Sequence, residues 1–359
     1  FPRLMYSLQC APIRKVPKDC LRLMDRTIRS TVKAVVGLPT HTADNMIYSH
    51  RKYRGLGMVK CEWEVLLQHF AIARKLSTVP DALFHEVYNC QQEMDQCKNE
   101  LNVDGFTSRQ LRNALRDLEF AEWTGKLYQG VGVKHFTEYL PANSFVYDKN
   151  SLAGSEWVAA MKLSTGYANL LGVPGVAQSR GQTSTLCRRC GRENETPGHV
   201  LGACSFGDNR RIERHNKVKQ HLAELLREKN YTCIVEPYCA DIHGRNRYVD
   251  ILAFKPTSNE VFIIDPTVRW ETNNDVGAEV QNEKEAIYDS CYQDLSQRYP
   301  IIKDRRCEVI GLWVGARGTI SKQMVDFFTR FDLDKKLLPA ICEMVLSASI
   351  RMIHHHIYA

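Results

Sequence analysis

A short stretch of the chain carries four side chains that can bind one metal ion. Cys187 and Cys190 are separated by two residues, His199 follows after eight more, and Cys204 after a further four. Zn²⁺ prefers four sulfur and nitrogen ligands in a tetrahedron, and a Cys-x-x-Cys pair directs both thiolates at one ion. Four protein ligands leave no open position, so we expect a structural zinc site whose binding energy folds the module. A chance spacing of four reduced side chains is the alternative.

Two aspartates further along could hold a second kind of ion. Asp250 and Asp265 lie in strand-like segments with 14 residues between them, about the length that a hairpin needs to bring both to one edge. Paired carboxylates can share Mg²⁺, which usually keeps waters and substrate phosphates among its ligands. The ion can then polarise a phosphodiester and lower the pKa of a bound water. The pair therefore predicts magnesium-dependent phosphodiester hydrolysis; alternatively, each aspartate only terminates a strand.

A lysine usually completes such a site, where it holds the attacking water or stabilises the transition state. Position 267, two residues after Asp265, is threonine. The nearest candidate is Lys284 on the helix that we expect next, with Tyr288 one turn further along the same face. Lys284 is therefore the predicted third catalytic residue, and an ordinary solvated helix position is the alternative.

Basic residues are clustered, although the net charge of +7 is modest. One stripe lies on a helix expected over residues 20–36, opposite its apolar face. Others lie in the Cys/His segment and at the start of a helix expected from 208 to 230. Clustered cations favour a polyanionic partner such as nucleic acid, while a solvated surface is the alternative for the first stripe. The candidate phosphate contacts are Arg22, Arg26, Arg29, Lys33, Arg188, Arg189, Arg210, Arg211, Arg214 and Lys217.

Composition indicates a globular chain in a reducing compartment. The 359 residues allow two or three domains. The 13 cysteines show no disulfide-framework spacing, and no signal peptide opens the chain. We expect no membrane partner, because by this interpretation of the sequence no apolar run reaches the roughly 18 to 20 residues that a span needs. Phe1 stands where an initiator Met would, within an apolar sequence, so the chain resembles the tail of a longer polypeptide.

The hydrophobic pattern changes its period near residue 230. Before that point apolar residues recur at helical spacing, with helices expected over 20–36, near 62–77, across 80–130 with a break at 102–105, and over 208–230; residues 130–186 form a connector with weak periodicity. Four later segments are short and rich in Ile, Val and Phe, which is typical of strands. These strands are Tyr231–Val235, Tyr248–Phe254, Val261–Val268 and Glu308–Val314, with helices at 277–297, 320–331 and to about 352. The segment from 208 onward is thus a small α/β domain.

Several motifs together resemble one family. Beside the Cys/His segment, the chain has Arg247-Tyr-Val-Asp250, then Ile-Ile-Asp265-Pro-Thr-Val-Arg-Trp270-Glu271, and Val314-Gly-Ala-Arg-Gly318. This pattern resembles the C-terminal part of the Pol polyprotein of site-specific, ribosomal-DNA-type non-LTR retrotransposons. Nearer the start, Leu23-Met-Asp25-Arg-Thr-Ile28-Arg29, Leu38-Pro39 and Gly55-Leu56-Gly57 resemble the thumb that follows the reverse transcriptase palm in those proteins. The family usually has Pro before its first aspartate, where this chain has Val249.

The resemblance implies an α+β multidomain architecture: a reverse transcriptase thumb-like region at 1–80, a helical linker at 81–186, a CCHC zinc knuckle at 187–204 and a restriction-like PD-(D/E)xK endonuclease domain at 205–359. It implies structural Zn²⁺, catalytic Mg²⁺ and a lysine moved from strand to helix, which supports Lys284. By the same resemblance the chain nicks target DNA in the nucleus, and the parent polymerase uses the freed 3′-hydroxyl to prime cDNA synthesis on the element's RNA. A dimer on the DNA is a further expectation.

Polymerase activity is not expected of this segment itself. A reverse transcriptase palm needs adjacent aspartates, and no Asp-Asp pair occurs in the chain. Two other functions compete with the endonuclease: a non-catalytic zinc-containing DNA-binding module, and a junction-resolvase-like nuclease. The resolvase would share the phosphodiester chemistry but gives no reason for the zinc ligands or the thumb-like helix.

Overall fold

The computed structural model describes residue 8 and residues 12–15, 17–148 and 150–359; the start of the expected thumb-like region lies partly outside them. The fold mixes helices with small sheets, as the α+β expectation requires. The chain forms two compact units, one up to Lys126 and one over Leu127–Ala359. The border between them falls inside the stretch 81–186 that the sequence indicates as linker.

The N-terminal unit is helical. Its helices are α1 (Lys18–Val36), α2 (Asp44–Tyr48), α3 (Cys61–Leu76), α4 (Ala82–Val87), α5 (Cys90–Leu101) and α6 (Ser108–Thr124). Helix α1 ends at Gly37, whose left-handed φ of 67° suits glycine. Buried Asp25 on α1 accepts hydrogen bonds from the backbone N–H groups of Cys61 and Glu62, so a residue of one helix caps the start of another. The helices expected at 20–36 and 62–77 and the break near residue 102 are confirmed.

The C-terminal unit is built around a four-stranded sheet. The strands are β1 (Thr232–Val235), β4 (Ile251–Phe254), β5 (Glu260–Arg269) and β6 (Arg306–Gly315), in the order β1-β4-β5-β6, and a separate hairpin is formed by β2 (Tyr238–Ala240) and β3 (Asn246–Tyr248). Neighbours are antiparallel except β5 and β6, which run parallel over ten residue pairs. The central strands are mostly buried, as expected for a sheet covered on both faces.

The C-terminal unit also contains eight α-helices among the described residues. They are α7 (Gly154–Ser164), α8 (Val176–Ser179), α9 (Pro197–Gly202), α10 (Asp208–Glu228), α11 (Val276–Tyr288), α12 (Tyr292–Arg298), α13 (Lys322–Arg330) and α14 (Leu338–Tyr358). Helix α10 packs against β1, β4 and β5, while α11 lies in the crossover between β5 and β6. Core residues include Leu252, Ile263 and Val309 from the sheet with Leu295 from α12. The two main helices, α10 and α11, therefore bring their side chains to the sheet's central strands.

Three expectations need correction. The predicted strand Tyr248–Phe254 is divided: Tyr248 ends β3 and pairs with β2, and Asp250 lies just before β4 rather than inside it. The backbone N–H of Val249 donates to the carbonyl of Pro237 at the division, so the segment leaves the main sheet there. The predicted helix 277–297 is interrupted by a 3-10 turn at Asp289–Cys291, and the last helix extends to Tyr358 rather than ending near 352.

Helix α14 also corrects the expectation on apolar runs. Among the described residues, Lys335–Tyr358 forms one helix that is long and apolar enough to cross a membrane by length and composition alone. A core helix of a soluble protein passes the same test. Here its buried face, which includes Ile341, Val345 and Leu346, packs against α7, α9 and α10 within the unit.

Candidate functional site

The four predicted metal-binding side chains converge; we call them the Cys/His cluster. The ligand atoms of Cys187, Cys190, His199 and Cys204 all lie within 4.8 Å of one another. Sγ of Cys187 lies 3.7 Å from Sγ of Cys204, and Sγ of Cys190 lies 3.3 Å from Nε2 of His199. The turn between the first two cysteines closes through a hydrogen bond from the N–H of Gly191 to the carbonyl of Cys187. The donor atoms of the Cys/His cluster are three sulfurs and one imidazole nitrogen, a set that is compatible with zinc.

Neighbouring groups affect how readily the members of this cluster could bind a cation, some favouring it and some opposing it. Nδ1 of His199 lies 3.0 Å from the Glu193 carboxylate, which leaves Nε2 directed at the cysteines, as second-shell carboxylates do at metal sites. The backbone N–H of Arg192 lowers the pKa of the Cys190 thiol to about 7. Burial raises the pKa of Cys204 to about 12, so a bound cation would have to displace that thiol proton.

Helix α14 is tied to the Cys/His cluster through His356. Nε2 of His356 lies 3.5 Å from Sγ of Cys187 and 3.0 Å from Oε1 of buried Glu195. Glu195 also accepts hydrogen bonds from the guanidinium of Arg188. Although burial acts to raise it, these bonds from His356 and Arg188 hold the pKa of Glu195 well below its usual range. Arg189 donates to the His356 carbonyl and lies over the Phe206 ring. Both arginines, which are predicted to contact nucleic acid, thus also make intramolecular contacts beside the cluster.

The two predicted catalytic aspartates lie side by side. Asp265 is buried within β5, and the register that pairs Ile251 with Ile264 places Asp250, one residue before β4, opposite Asp265. Side chains directly opposite in an antiparallel pair point to the same face, with Cβ atoms about 5 Å apart. Burial and the nearby Asp250 carboxylate raise the pKa of Asp265. The structure thus brings both carboxylates to one place.

Lys284 completes a compact group, which we call the carboxylate cluster: Asp250, Asp265, Lys284 and Tyr288. Nζ of Lys284 lies 3.1 Å from Oδ2 of Asp265. The Tyr288 hydroxyl lies 2.9 Å from the same oxygen and 3.2 Å from the Tyr248 carbonyl oxygen. Burial, together with the Asp265 carboxylate, raises the pKa of Tyr288 well above its usual range. The phenol therefore keeps its proton and donates.

The close approach of α11 explains how Lys284 reaches Asp265. Gly311 of β6 pairs with Asp265 in the parallel ladder. A Cβ at position 311 would lie 3.1 Å from Cα of Gln281 and from Cγ of Lys284, so glycine lets the helix pack tightly here. The Gln281 side chain fixes the contact, because it donates to the Val309 carbonyl and accepts from the Gly311 N–H.

Helix α10 contributes two residues that sequence reasoning missed. Nε2 of His215 lies 3.1 Å from Oδ1 of Asp250, and Nζ of Lys219 lies 3.8 Å from the same oxygen. Lys219 is buried and also pairs with Glu236. The two residues are one helical turn apart, so they share a face. A cation at 219 beside apolar Val218 and Leu222 was the available signal that this lysine is internal.

Arg214 is a correction to the predicted nucleic-acid contacts. It is 3% exposed, and its guanidinium donates to Oγ of Ser349 and to the Leu201 carbonyl. Burial lowers its pKa to about 10. The helical register turns this residue toward α14 and α9, so it supports packing and cannot touch a phosphate in this conformation. Its neighbour Arg211 donates to the Cys204 carbonyl and to Asp208.

The remaining residues that we predicted to contact phosphates differ in exposure and in their ion pairs. Exposed Lys217 pairs with exposed Glu213, and Arg210 is partly exposed. On α1, Arg22 pairs with Asp19 and Glu62, while Arg29 and Lys33 both pair with Asp44. In the described part of the chain, Arg26 is exposed and has no ion pair. The stripe on α1 is thus largely neutralised by intramolecular carboxylates.

Comparison with known proteins finds relatives that match most of the chain. No protein-family model matches it. It is similar to polyproteins of retrotransposable elements. A Retrovirus-related Pol polyprotein from the type-1 retrotransposable element R2 of Popillia japonica is 25% identical over 302 residues, which are 80% of this chain and 61% of the relative. The corresponding polyprotein of the type-2 element R2DM of Drosophila melanogaster is 25% identical over 274 residues, 74% of this chain and 24% of that protein.

A further relative covers a similar share of this chain. A type-1 R2 polyprotein of Nasonia vitripennis is 24% identical over 80% of this chain and 26% of its own length. The chain is thus homologous to R2 Pol polyproteins over about 80% of its length, consistent with a portion of such a polyprotein. This confirms the resemblance predicted from the motifs. The chain spans between about a quarter and six tenths of the length of the curated relatives that it matches.

Proposed function

We propose that this chain is the DNA endonuclease portion of a retrotransposon polyprotein and nicks target DNA for target-primed reverse transcription. The observation that carries the proposal is the convergence of Asp250, Asp265 and Lys284 at one buried point of the sheet. These three residues come from a loop, a strand and a helix that follow one another along the chain. The homology to R2 Pol polyproteins supports a nucleic-acid substrate.

The donor set of the carboxylate cluster fits Mg²⁺. Asp250 and Asp265 would hold the ion, because magnesium takes carboxylate oxygens and because a cation relieves the repulsion between two adjacent carboxylates. When bound, the ion supplies Lewis-acid polarisation of the phosphodiester and acidifies a water. The Cys/His cluster would hold a structural Zn²⁺ with Cys187, Cys190, His199 and Cys204, and no open position would remain for chemistry.

The protein's own groups have separate roles in this proposal. Lys284 places positive charge 3.1 Å from Asp265, where a phosphoryl group at the carboxylates would gain negative charge in the transition state. Tyr288 donates to Asp265 and fixes its orientation. On the other side, His215 and Lys219 hold Asp250. Both carboxylates are therefore positioned before substrate arrives.

The proposed reaction is phosphodiester hydrolysis. Water attacks phosphorus, the bond from phosphorus to the 3′-oxygen breaks, and that oxygen takes a proton. The products are a 5′-phosphate and a free 3′-hydroxyl, which is the group that a polymerase extends. The partners in this proposal are target DNA in the nucleus and, through the parent polyprotein, the element's RNA.

A plasmid-nicking assay tests the proposal. Asp265→Asn should abolish Mg²⁺-dependent conversion of supercoiled plasmid to the open circle while DNA affinity stays nearly unchanged, since the carboxylate serves the metal and not the DNA backbone. Asp326→Asn is the matched control, because Asp326 is an exposed residue of α13 outside the cluster.

Two results would oppose the proposal. Binding of DNA without nicking by the purified wild-type chain in Mg²⁺ would favour a non-catalytic zinc-containing module. Preferred cleavage of four-way junctions over linear duplex would favour a junction-resolvase-like nuclease.

A further inference from the structure

The β2–β3 hairpin lies beside the carboxylate cluster, and its exposed side chains have no role in the function proposed above. Tyr248 ends β3, two residues before Asp250, and its carbonyl oxygen lies 3.2 Å from the Tyr288 hydroxyl, which in turn lies 2.9 Å from Asp265. One strand of DNA carries a phosphate for about every 3.4 Å of helix axis. A phosphate at the carboxylates would therefore place its neighbouring nucleotide within reach of Tyr248.

The hairpin is held firmly on its inner side. Cys239 of β2 is fully buried in the core, and the Val249 N–H donates to the Pro237 carbonyl. At the tip, buried Asp241 accepts hydrogen bonds from the N–H groups of His243 and Arg245 and from the Arg245 side chain. Gly244 takes a left-handed φ of 71° to close the turn. Because the hairpin is already ordered, a ligand that binds to it would cause little loss of conformational entropy in the protein.

Its outer side presents an aromatic platform. The Tyr238 and Tyr248 rings pack edge to face with centroids 5.6 Å apart, and the Arg298 guanidinium covers Tyr238 at 4.5 Å. The Tyr248 side chain remains 64% exposed. The Tyr238 hydroxyl donates to Asn246, which fixes the inner ring, while the outer ring stays open.

The charges around this platform suit DNA. Arg245 lies near the tip of the hairpin, where its 62% exposed side chain pairs with Asp241, and Arg298 lies over the Tyr238 ring. Arg247 pairs with buried Cys239 in the ladder and so lies on the opposite face from the two tyrosines. Exposed His243 adds a further donor at the tip. Cations beside an open aromatic ring are the combination by which proteins hold single-stranded nucleic acid, the ring stacking on a base and the guanidinium groups meeting phosphates.

We infer that the β2–β3 hairpin binds the nucleotide next to the scissile phosphate, with the Tyr248 ring stacked on a base that has left its pair. The inference rests on the proposed function for the identity of the ligand, DNA. It adds a substrate feature that catalysis alone does not require: a preference for a locally unpaired step at the point of cleavage.

The experiment compares two DNA probes. Anisotropy titrations in magnesium-free buffer would use a labelled duplex with a short central bubble and the same duplex fully paired. Wild type should bind the bubble more tightly, and Tyr248→Ala should lose that preference by on the order of tenfold, the usual size of a stacking contact. Tyr248→Trp should retain it. Tyr147→Ala is the control, since Tyr147 is 54% exposed in the same unit but lies away from the hairpin in sequence.

The outcomes separate the inference from the proposed function. Equal binding of both probes by wild type, or an unchanged preference in Tyr248→Ala, would overturn the inference even if wild type nicks plasmid and Asp265→Asn does not. A bubble preference that depends on Tyr248, in a protein that never nicks, would support the platform and reject the nuclease. Because the Tyr248 ring is mostly exposed, loss of the side chain should leave the fold intact, which circular dichroism checks.

Discussion

At the scale of single residues, Lys284 carries the sharpest catalytic prediction. Lys284→Ala should lower the plasmid-nicking rate by on the order of 10² or more, because a positioned electrostatic or general-acid group is lost. Affinity for DNA should change little, and circular dichroism should show that the variant stays folded. Lys322→Ala, at an exposed lysine of α13, is the control. Nicking at the wild-type rate by Lys284→Ala would show that the lysine only balances the charge of Asp265.

Asp265 predicts a particular dependence of stability on pH. Burial and Asp250 raise its pKa above the ordinary value of 3.8. A folded-state pKa above the unfolded one means that the folded protein holds the proton more tightly. The resulting stability is fully present below the unfolded pKa and is lost as the pH rises through the folded pKa.

The asparagine in Asp265→Asn cannot ionise, so the stability of this variant does not fall through ionisation at position 265 as the pH rises. In magnesium-free buffer, its unfolding free energy should therefore gain on that of the wild type as the pH rises from about 4 toward 7, as urea titrations would measure. Adding Mg²⁺ should stabilise the wild type and not the variant. A difference between the two proteins that stays constant with pH would contradict the raised pKa.

Residue spacing predicted some of these contacts and not others. The Cys-x-x-Cys pair and the 14 residues between Asp250 and Asp265 are local features, so the sequence shows them directly. Contacts between distant elements leave no such trace. His215 lies 35 positions from Asp250. Buried Arg214 differs from partly exposed Arg210 and Arg211 only in its position on the helix. A single sequence gives the period of a helix more securely than the face that it buries.

At the scale of elements, the Cys/His cluster is predicted to depend on its ion. The purified chain should contain about one Zn²⁺. Cys190→Ser should release it and unfold the segment around residues 187–204 while the β4–β6 strands stay formed. Native mass spectrometry measures the metal, and hydrogen exchange locates the change. Cys233→Ser, in β1, removes a cysteine outside the cluster and should keep the ion. A zinc-free wild-type protein would end this prediction.

Long elements were predictable and short ones were not. Helices α1, α3 and α10 and strands β5 and β6 repeat their pattern over enough residues to be recognised. The three-residue strands β2 and β3 are too short for any period, and the hairpin that they form was therefore absent from the expectation. Its pairing is instead fixed by tertiary contacts, such as buried Cys239 and the Val249 N–H bond.

Two sequence motifs, the one that ends at Glu271 and the one from Val314 to Gly318, contact each other in the fold. Glu271 and Arg317, which the sequence shows in separate motifs, form a fully buried ion pair. Thr319 donates to the same carboxylate. A Cβ at Gly315 would lie 2.1 Å from Oε1 of Glu271, so that position must be glycine. Removing one partner of such a pair typically costs about 3 to 5 kcal/mol, because a buried charge is left alone.

At the scale of the whole molecule, each compact unit has its own core. In the N-terminal unit, Leu67, Phe70 and Leu111 meet between helices, and in the C-terminal unit the sheet residues pack with α12. The Cys/His cluster and the carboxylate cluster both belong to the second unit, over Leu127–Ala359. All parts that the proposed nicking reaction needs therefore lie in one compact body.

The parallel pairing of β5 with β6 has a consequence for how the protein is made. During translation, Asp265 leaves the ribosome about 40 residues before β6, the strand that pairs with β5. Helix α11, which carries Lys284, emerges between the two strands. Until residues 306–315 arrive, β5 has an open edge of unpaired amides, the kind of surface that joins other chains. Pairings between distant segments also form slowly. Unfinished chains would therefore lack the strand that lies beside Asp265 and closes this edge of the sheet.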